Sequence, residues 1–116
     1  MRILIAAAAL VMLAGCSTPS DLMAGKPVTT QFTTKDPRAV ALCVYPAWQD
    51  YRSNAVMSET PTGYRIVAGS DAGQTDDVLD VERGSRGKGS IVKHYQRAAW
   101  SKIGRGGLLP ALNRCI

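Results

Sequence analysis

The chain predicts an α+β domain over residues 36–116, with a small antiparallel sheet of three to four strands packed against an N-terminal and a C-terminal helix. Three observations predict this fold. Apolar residues recur at helical spacing near both ends of the stretch, alternating apolar and polar segments lie between them, and each helical stripe carries one cysteine. Two helices that cover one face of a sheet form a two-layer domain. We therefore expect both helices on the same sheet face, linked by a disulfide.

The first helix is expected to begin at Asp36 and Pro37. Asp is a good N-cap because its carboxylate accepts hydrogen bonds from free backbone N–H groups, and Pro suits the first helical position. Pro46 removes one backbone donor further along, which predicts a kink or a break near Cys43. On this register Cys43 faces the core. The apolar residues step by three and four along one stripe: Val40, Cys43, Val44, Ala47, Trp48 and Tyr51.

The middle of the chain predicts successive antiparallel strands joined by short connections that contain glycine. The expected strands are residues 55–59, 64–68, 78–83 and 90–96. A turn at 60–63, a polar loop at 69–77 and a loop at 84–89 connect them. The last loop combines glycines with Arg86 and Lys88, but its spacing is too short for a P-loop and a strand follows it. We therefore expect a hairpin turn there.

The end of the chain predicts a second helix. Leu108, Ala111, Leu112 and Cys115 lie on one helical stripe, with Pro110 in the first turn. Cys115 therefore falls on the apolar face. Residues 98–107 are ambiguous.

The first sixteen residues have the layout of a secretory signal peptide. Met1 and Arg2 give a positive start, residues 3–13 have no charged or polar side chain, and small residues lead into Cys16. The apolar run is about half the roughly 20 residues that a transmembrane helix needs. We expect residues 1–15 to be a signal peptide.

Leu13-Ala14-Gly15-Cys16 resembles the lipobox of bacterial lipoproteins, which has Leu, two small residues and then an invariant Cys. The resemblance implies that Cys16 carries a diacylglycerol on its thiol and an acyl chain, such as palmitate, on its new amino terminus. Two or more chains anchor a protein stably without spanning the membrane. Ser17 in place of Asp resembles outer-membrane sorting, so we expect the outer rather than the inner membrane, with the domain in the periplasm or at the surface. Cleavage by the ordinary signal peptidase is the alternative.

Residues 16–35 are rich in Ser, Thr, Pro and Gly and have no visible period. This composition predicts a flexible tether that lifts the domain off the membrane. Residues 28–34 are β-prone, so a short edge strand is the alternative for that part. With Cys16 acylated, Cys43 and Cys115 remain as a pair in an oxidising compartment, and we expect them to form a disulfide.

The charge of the chain is unevenly distributed. The formal net charge is +5, and eight positive residues but no acidic one follow Glu82. A basic half can bind an anionic envelope component or an acidic partner, whereas export argues against nucleic acid. An ordinary solvated face is the alternative. The candidate residues for binding an anionic partner are Arg83, Arg86, Lys88, Lys93 and Arg97.

The sequence does not assemble a catalytic site. His94 is the only histidine; it could pair with Asp80 of the neighbouring strand, but a half-exposed packing role is expected. Asp76 and Asp77 are adjacent, so their side chains should point apart. Two cysteines and one histidine do not make a metal site, and no cofactor is implied. We expect the protein not to be an enzyme. An enzyme would need a pocket with polar groups around His94.

Beyond the lipobox, the chain resembles in outline the small uncharacterised proteobacterial envelope lipoproteins. This outline has no specific motif, so it transfers no site residues. The sequence therefore favours a membrane-anchored, non-catalytic envelope lipoprotein with a binding or structural role. The alternative is an inhibitor or immunity protein against an envelope-acting toxin or a cell-wall hydrolase, because a rigid disulfide-linked domain binds at low entropic cost.

Overall fold

The computed structural model describes residues 18–69, 74–97 and 106–116. These residues form a mixed α+β fold, as the sequence predicts. In chain order the elements are α1 (Pro19–Met23), β1 (Thr29–Thr33), α2 (Pro37–Tyr51), β2 (Val56–Thr60), β3 (Gly63–Gly69), β4 (Thr75–Arg83), β5 (Ser90–Gln96) and α3 (Leu108–Asn113).

One antiparallel sheet holds five strands in the order β1-β5-β4-β3-β2. The expectation of three to four strands is therefore wrong in number. The additional strand is β1, which pairs with β5 from Thr29 opposite His94 to Thr33 opposite Ser90. The expected flexible tether over residues 16–35 does not describe Thr29–Thr33, where the edge strand is the alternative that forms.

The start of α2 agrees with its sequence signals. The carboxylate of Asp36 accepts a hydrogen bond of 2.8 Å from the backbone N–H of Ala39, and Pro37 occupies the first turn. Of the predicted kink or break near Cys43, the break does not occur, because α2 runs as one helix of 15 residues with Pro46 inside it. The packing of α2 on the sheet is the physical reason: tertiary burial offsets the one missing backbone donor.

The core lies between one face of the sheet and the two helices α2 and α3. Val44 and Trp48 of α2 belong to the same buried cluster as Leu79 of β4 and Leu112 of α3. Both helices therefore cover the same sheet face, which we call the core face. The indole N–H of Trp48 donates a hydrogen bond of 2.9 Å to the carbonyl oxygen of Leu108, which ties α2 to the start of α3.

Cys43 and Cys115 form the expected disulfide, with their Cα atoms 5.7 Å apart. Cys115 is buried, but Cys43 is exposed. The expectation that Cys43 faces the core is therefore wrong. The buried line of α2 steps by four through Val40, Val44 and Trp48, and Cys43 lies beside that line, at the rim where α3 meets α2.

The opposite side of the sheet, which we call the second face, carries α1. Val67, Val78 and Tyr95 lie directly opposite one another across β3, β4 and β5. Val78 and Tyr95 are buried, although neither belongs to the core cluster. α1 packs against β4 and β5, and none of its residues belongs to the core cluster either. We infer that α1 covers this row on the second face.

The helices in the described ranges are all short or only partly apolar. None of them could cross a membrane.

Candidate functional site

The expected anion-binding residues separate into two groups in the structure. Arg83, Arg86 and Lys88 lie together at the connection between β4 and β5, and all three are exposed. Lys93 and Arg97 lie elsewhere and have acidic partners. The Lys93 ammonium is 3.7 Å from a Glu82 carboxylate oxygen, and the Arg97 Nε donates to Asp76 at 2.9 Å. We call residues 83–88 the basic loop.

A tight turn at Ser85–Gly87 shapes the basic loop. The backbone N–H of Gly84 donates to the carbonyl oxygen of Gly89 at 3.0 Å, which closes the connection as a hairpin, as predicted. Arg86 and Gly87 both have a φ of 72°, the left-handed conformation. A non-glycine residue is uncommon there, so the loop holds the Arg86 backbone in a strained conformation.

A cavity of about 440 Å³ lies beside the basic loop. It is formed by the loop, the first turn of α2 and the turn between β2 and β3. Arg38 and Arg83 line it together with Asp36, Glu59 and Tyr64. The cavity therefore presents both signs of charge, and the exposed Arg86 and Lys88 lie in the loop beside it.

His94 and Asp77 form a polar pair inside the core. The Nε2 atom of His94 lies 3.0 Å from Oδ1 of Asp77, and the side-chain amide of Gln96 donates to the same oxygen at 2.9 Å. The ring of Trp48 lies 5.3 Å from the imidazole, centroid to centroid. His94 is 1% exposed and Asp77 is 0% exposed, so in this conformation neither side chain contacts a substrate in solvent.

Two expectations for His94 are wrong. It is buried rather than half-exposed, and its acidic partner is Asp77 rather than Asp80. Asp80 lies directly opposite Lys93, so the side chains of Asp80 and His94 are on opposite sheet faces. The predicted hairpin already excludes Asp80 as the partner, because strands at 78–83 and 90–96 place Leu79, not Asp80, opposite His94. The sequence does not predict Asp77 as the partner of His94, because two adjacent aspartates favour a loop rather than a strand.

Asp76 and Asp77 have separate partners, as their adjacency predicts. Gly69 lies opposite Thr75 and Ala68 lies opposite Asp77, so Asp76 is the extra residue of an irregularity in the ladder. Its carboxylate accepts from Arg97 and lies 3.5 Å from the Arg52 guanidinium at the end of α2. Asp76 thus joins β4 to α2 and to the end of β5.

Asp80 is a buried acid on the second face. Its carboxylate lies 3.5 Å from the guanidinium of Arg65, the residue directly opposite on β3. Burial raises the pKa of Asp80 from 3.8 to about 6, and a hydrogen bond with Glu82 and the charge of Glu82 raise it as well. The positive charges of Arg65 and Lys93 oppose this increase. Asp80 therefore changes charge near pH 6, within a cluster of four ionisable side chains.

Within the described parts of the chain, no group of three His, Cys, Asp or Glu side chains is placed to hold a metal ion. Cys16, the expected lipid attachment residue, lies outside the described residues. No protein-family model, no curated protein and no solved structure matches this chain.

Proposed function

We propose that this chain is a membrane-anchored, non-catalytic lipoprotein of the cell envelope, whose folded domain binds an anionic envelope component through the basic loop. Cys16 carries the lipid, and residues 1–15 are removed as the signal peptide. The lipobox carries the anchoring part of this proposal, and the basic loop carries the binding part.

The disulfide supports export. Cys43 and Cys115 are bonded in the folded domain, and disulfides persist in oxidising compartments such as the bacterial periplasm. The same two thiols join the two helices that cover the core face, so they have a structural role. The third cysteine of the chain, Cys16, is then left for the lipid.

The exposure of the basic loop is the observation that supports binding. Arg83, Arg86 and Lys88 are exposed, whereas Lys93 and Arg97 are already paired with acids on the sheet. A cation with no fixed acidic neighbour contributes more to the attraction of an anion, because it does not first have to leave a partner. Each such side chain contributes about 1 kcal/mol near an anionic surface. We therefore reduce the five candidate residues to the three in the loop.

The buried position of the His94–Asp77 pair supports a non-catalytic role. A general acid or base must come within hydrogen-bond reach of a proton on the substrate. Both side chains of this pair are enclosed in the core and bond to each other. Their arrangement suits a buried polar contact between β4 and β5 better than it suits catalysis.

The binding part can be tested with the mature chain carrying Cys16→Ser, so that no lipid contributes to retention. The probes are cell-wall fragments and vesicles that contain phosphatidylglycerol, at low ionic strength and with added salt. Arg86→Gln with Lys88→Gln should lower the affinity by about tenfold or more, given about 1 kcal/mol for each cation. The matched control, measured on the cell-wall fragments, is Lys26→Gln with Arg114→Gln, which removes the same charge from exposed positions outside the basic loop.

Equal losses in the two double variants would contradict a role for the basic loop, since only net charge would then matter. No retention of the parent chain at low ionic strength would contradict anion binding altogether. Stoichiometric co-purification of a wall hydrolase from solubilised envelope would favour the inhibitor alternative instead.

A further inference from the structure

We propose that the second face of the sheet, with α1 on it, is the surface that rests on the lipid bilayer, and that Phe32 contacts the headgroup region there. This inference rests on the proposed function, because it needs the lipid on Cys16. It replaces the expectation of a tether that lifts the domain off the membrane.

The first step is the short distance between the anchor and folded structure. Thr18 is the N-cap of α1, and its side chain accepts a hydrogen bond from the backbone N–H of Asp21 while Asp21 bonds back to the Thr18 backbone. Cys16 is only two residues before Thr18. Two residues span at most about 7 Å. A lipid on Cys16 therefore brings the beginning of α1 to the bilayer surface.

The second step is the position of α1 in the fold. α1 packs against β4 and β5 and lies on the second face, away from α2 and α3. The chain then passes directly into β1, which is a paired strand of the sheet. The chain between Thr18 and the sheet is too short for the domain to turn α2 and α3 towards the membrane. The second face is thus the face nearest to the anchor.

The third step is the apolar surface on that face. Phe32 is 75% exposed and Val56 is 61% exposed, the highest values among the large apolar side chains in the described residues. Phe32 lies opposite Ile91, and Val56 lies opposite Val67. Strand alternation places both on the same face as Val78 and Tyr95. The two most exposed apolar groups therefore share the face that carries the anchor helix.

The fourth step is electrostatic. Bacterial membranes present anionic headgroups, which repel uncompensated acids. The two acids at the centre of the second face are each close to a cation: Asp80 to Arg65 at 3.5 Å, and Glu82 to Lys93 at 3.7 Å. The sheet part of this face consequently has no excess negative charge, and its exposed apolar groups can enter the headgroup region without a large repulsive cost. Apolar side chains of membrane-surface proteins typically enter by about 5–10 Å.

The test is hydroxyl-radical footprinting of the acylated protein on vesicles of phosphatidylethanolamine and phosphatidylglycerol. The reference is the mature Cys16→Ser chain in solution without vesicles. Oxidation of Phe32 should be slower on vesicles by at least about threefold, because entry into the headgroup region removes the ring from water. Tyr51, which is 48% exposed on the helix side, is the internal control and should react at the same rate in both samples.

The outcomes separate this inference from the anchor. A protein that has the acyl mass and floats with vesicles, but whose Phe32 reacts as fast as in solution, overturns the docked orientation alone. An unmodified mass with no flotation overturns the anchor and this inference together. If Phe32 becomes protected without vesicles as the protein concentration rises, a second copy of the chain covers the face and the inference is wrong.

Discussion

The Nε2 atom of His94 lies 3.0 Å from Oδ1 of Asp77, and both side chains are enclosed in the core beside Trp48. This contact joins β4 and β5 at the level where α2 and α3 cover the sheet. Since neither group has access to water, each satisfies part of the hydrogen-bonding capacity of the other. Its loss would leave a buried polar group without its partner.

Asp77→Ala should therefore lower the free energy of unfolding by about 2–4 kcal/mol, because it leaves the His94 ring buried without its acceptor. Urea denaturation followed by circular dichroism gives this value. Asp50→Ala is the control, since Asp50 is exposed on α2 and a change there should stay within about 0.5 kcal/mol. If the two variants unfold at the same urea concentration, the buried pair contributes nothing to stability.

Asp80 predicts a pH dependence of stability. The pKa of Asp80 is about 6 in the folded domain, above its ordinary value of 3.8, so the folded state holds the proton more tightly than the unfolded state. This group therefore stabilises the fold most below about pH 4, and its contribution falls as the pH rises through 6. Asp80→Asn should remove that decline and, above pH 6, stabilise the domain by at most about 3 kcal/mol.

The measurement for Asp80 is a series of urea denaturations from pH 4 to 8, with Glu59→Gln as an exposed control on β2. The difference in stability between Asp80→Asn and the parent should increase between pH 4 and 7. A difference that stays constant over this range would show that the carboxyl titrates alike in both states.

The disulfide should account for a large share of the stability. Cys43 and Cys115 are 72 residues apart, and closing a loop of that length stabilises a fold by about 4 kcal/mol in the chain-entropy model. Cys43→Ser, Cys115→Ser and the double variant should therefore lose similar amounts. Reduction of the parent protein should give the same loss. Two free thiols in the folded protein would contradict the bond.

The basic loop predicts opposite effects of two neighbouring substitutions. Gly87 has a φ of 72° and no atom within 4 Å of where a Cβ would lie, so Gly87→Ala should cost about 1 kcal/mol through backbone strain alone. Arg86 has the same φ, so Arg86→Gly relieves strain and should leave stability unchanged or raised by less than about 1 kcal/mol. Thermal unfolding compares the two. A stability loss in Arg86→Gly would mean that its side chain holds the loop.

The sequence predicts most of the helices and the central hairpins because their signals are local. Asp36 and Pro37 mark the beginning of α2, and the glycine-containing loop at 84–89 sets the register of β4 and β5. The same register would have excluded Asp80 as the partner of His94. These features depend on residues close together in the chain, where capping and turn chemistry decide the outcome.

The parts that the sequence does not predict depend on distant neighbours. β1 is polar except for Phe32, and it joins the sheet only because β5, about 60 residues later, offers a free edge. Cys43 lies on the rim rather than in the core. The apolar spacing within α2 does not decide this alone, because the position of α3 also determines which side of α2 is buried. The basic residues have similar side chains, but only the fold separates Lys93 and Arg97, which have acidic partners, from the exposed loop.

The pairing of the first strand with the last also has a consequence for how the chain matures. If the chain becomes available for folding from its amino end, Thr29–Thr33 appears before Ser90–Gln96. It has no hydrogen-bonding strand beside it until that later segment follows. Contacts between remote segments close slowly, and an unpaired strand invites wrong pairing in the meantime. Three threonines and one glutamine around Phe32 keep this unpaired segment largely hydrophilic.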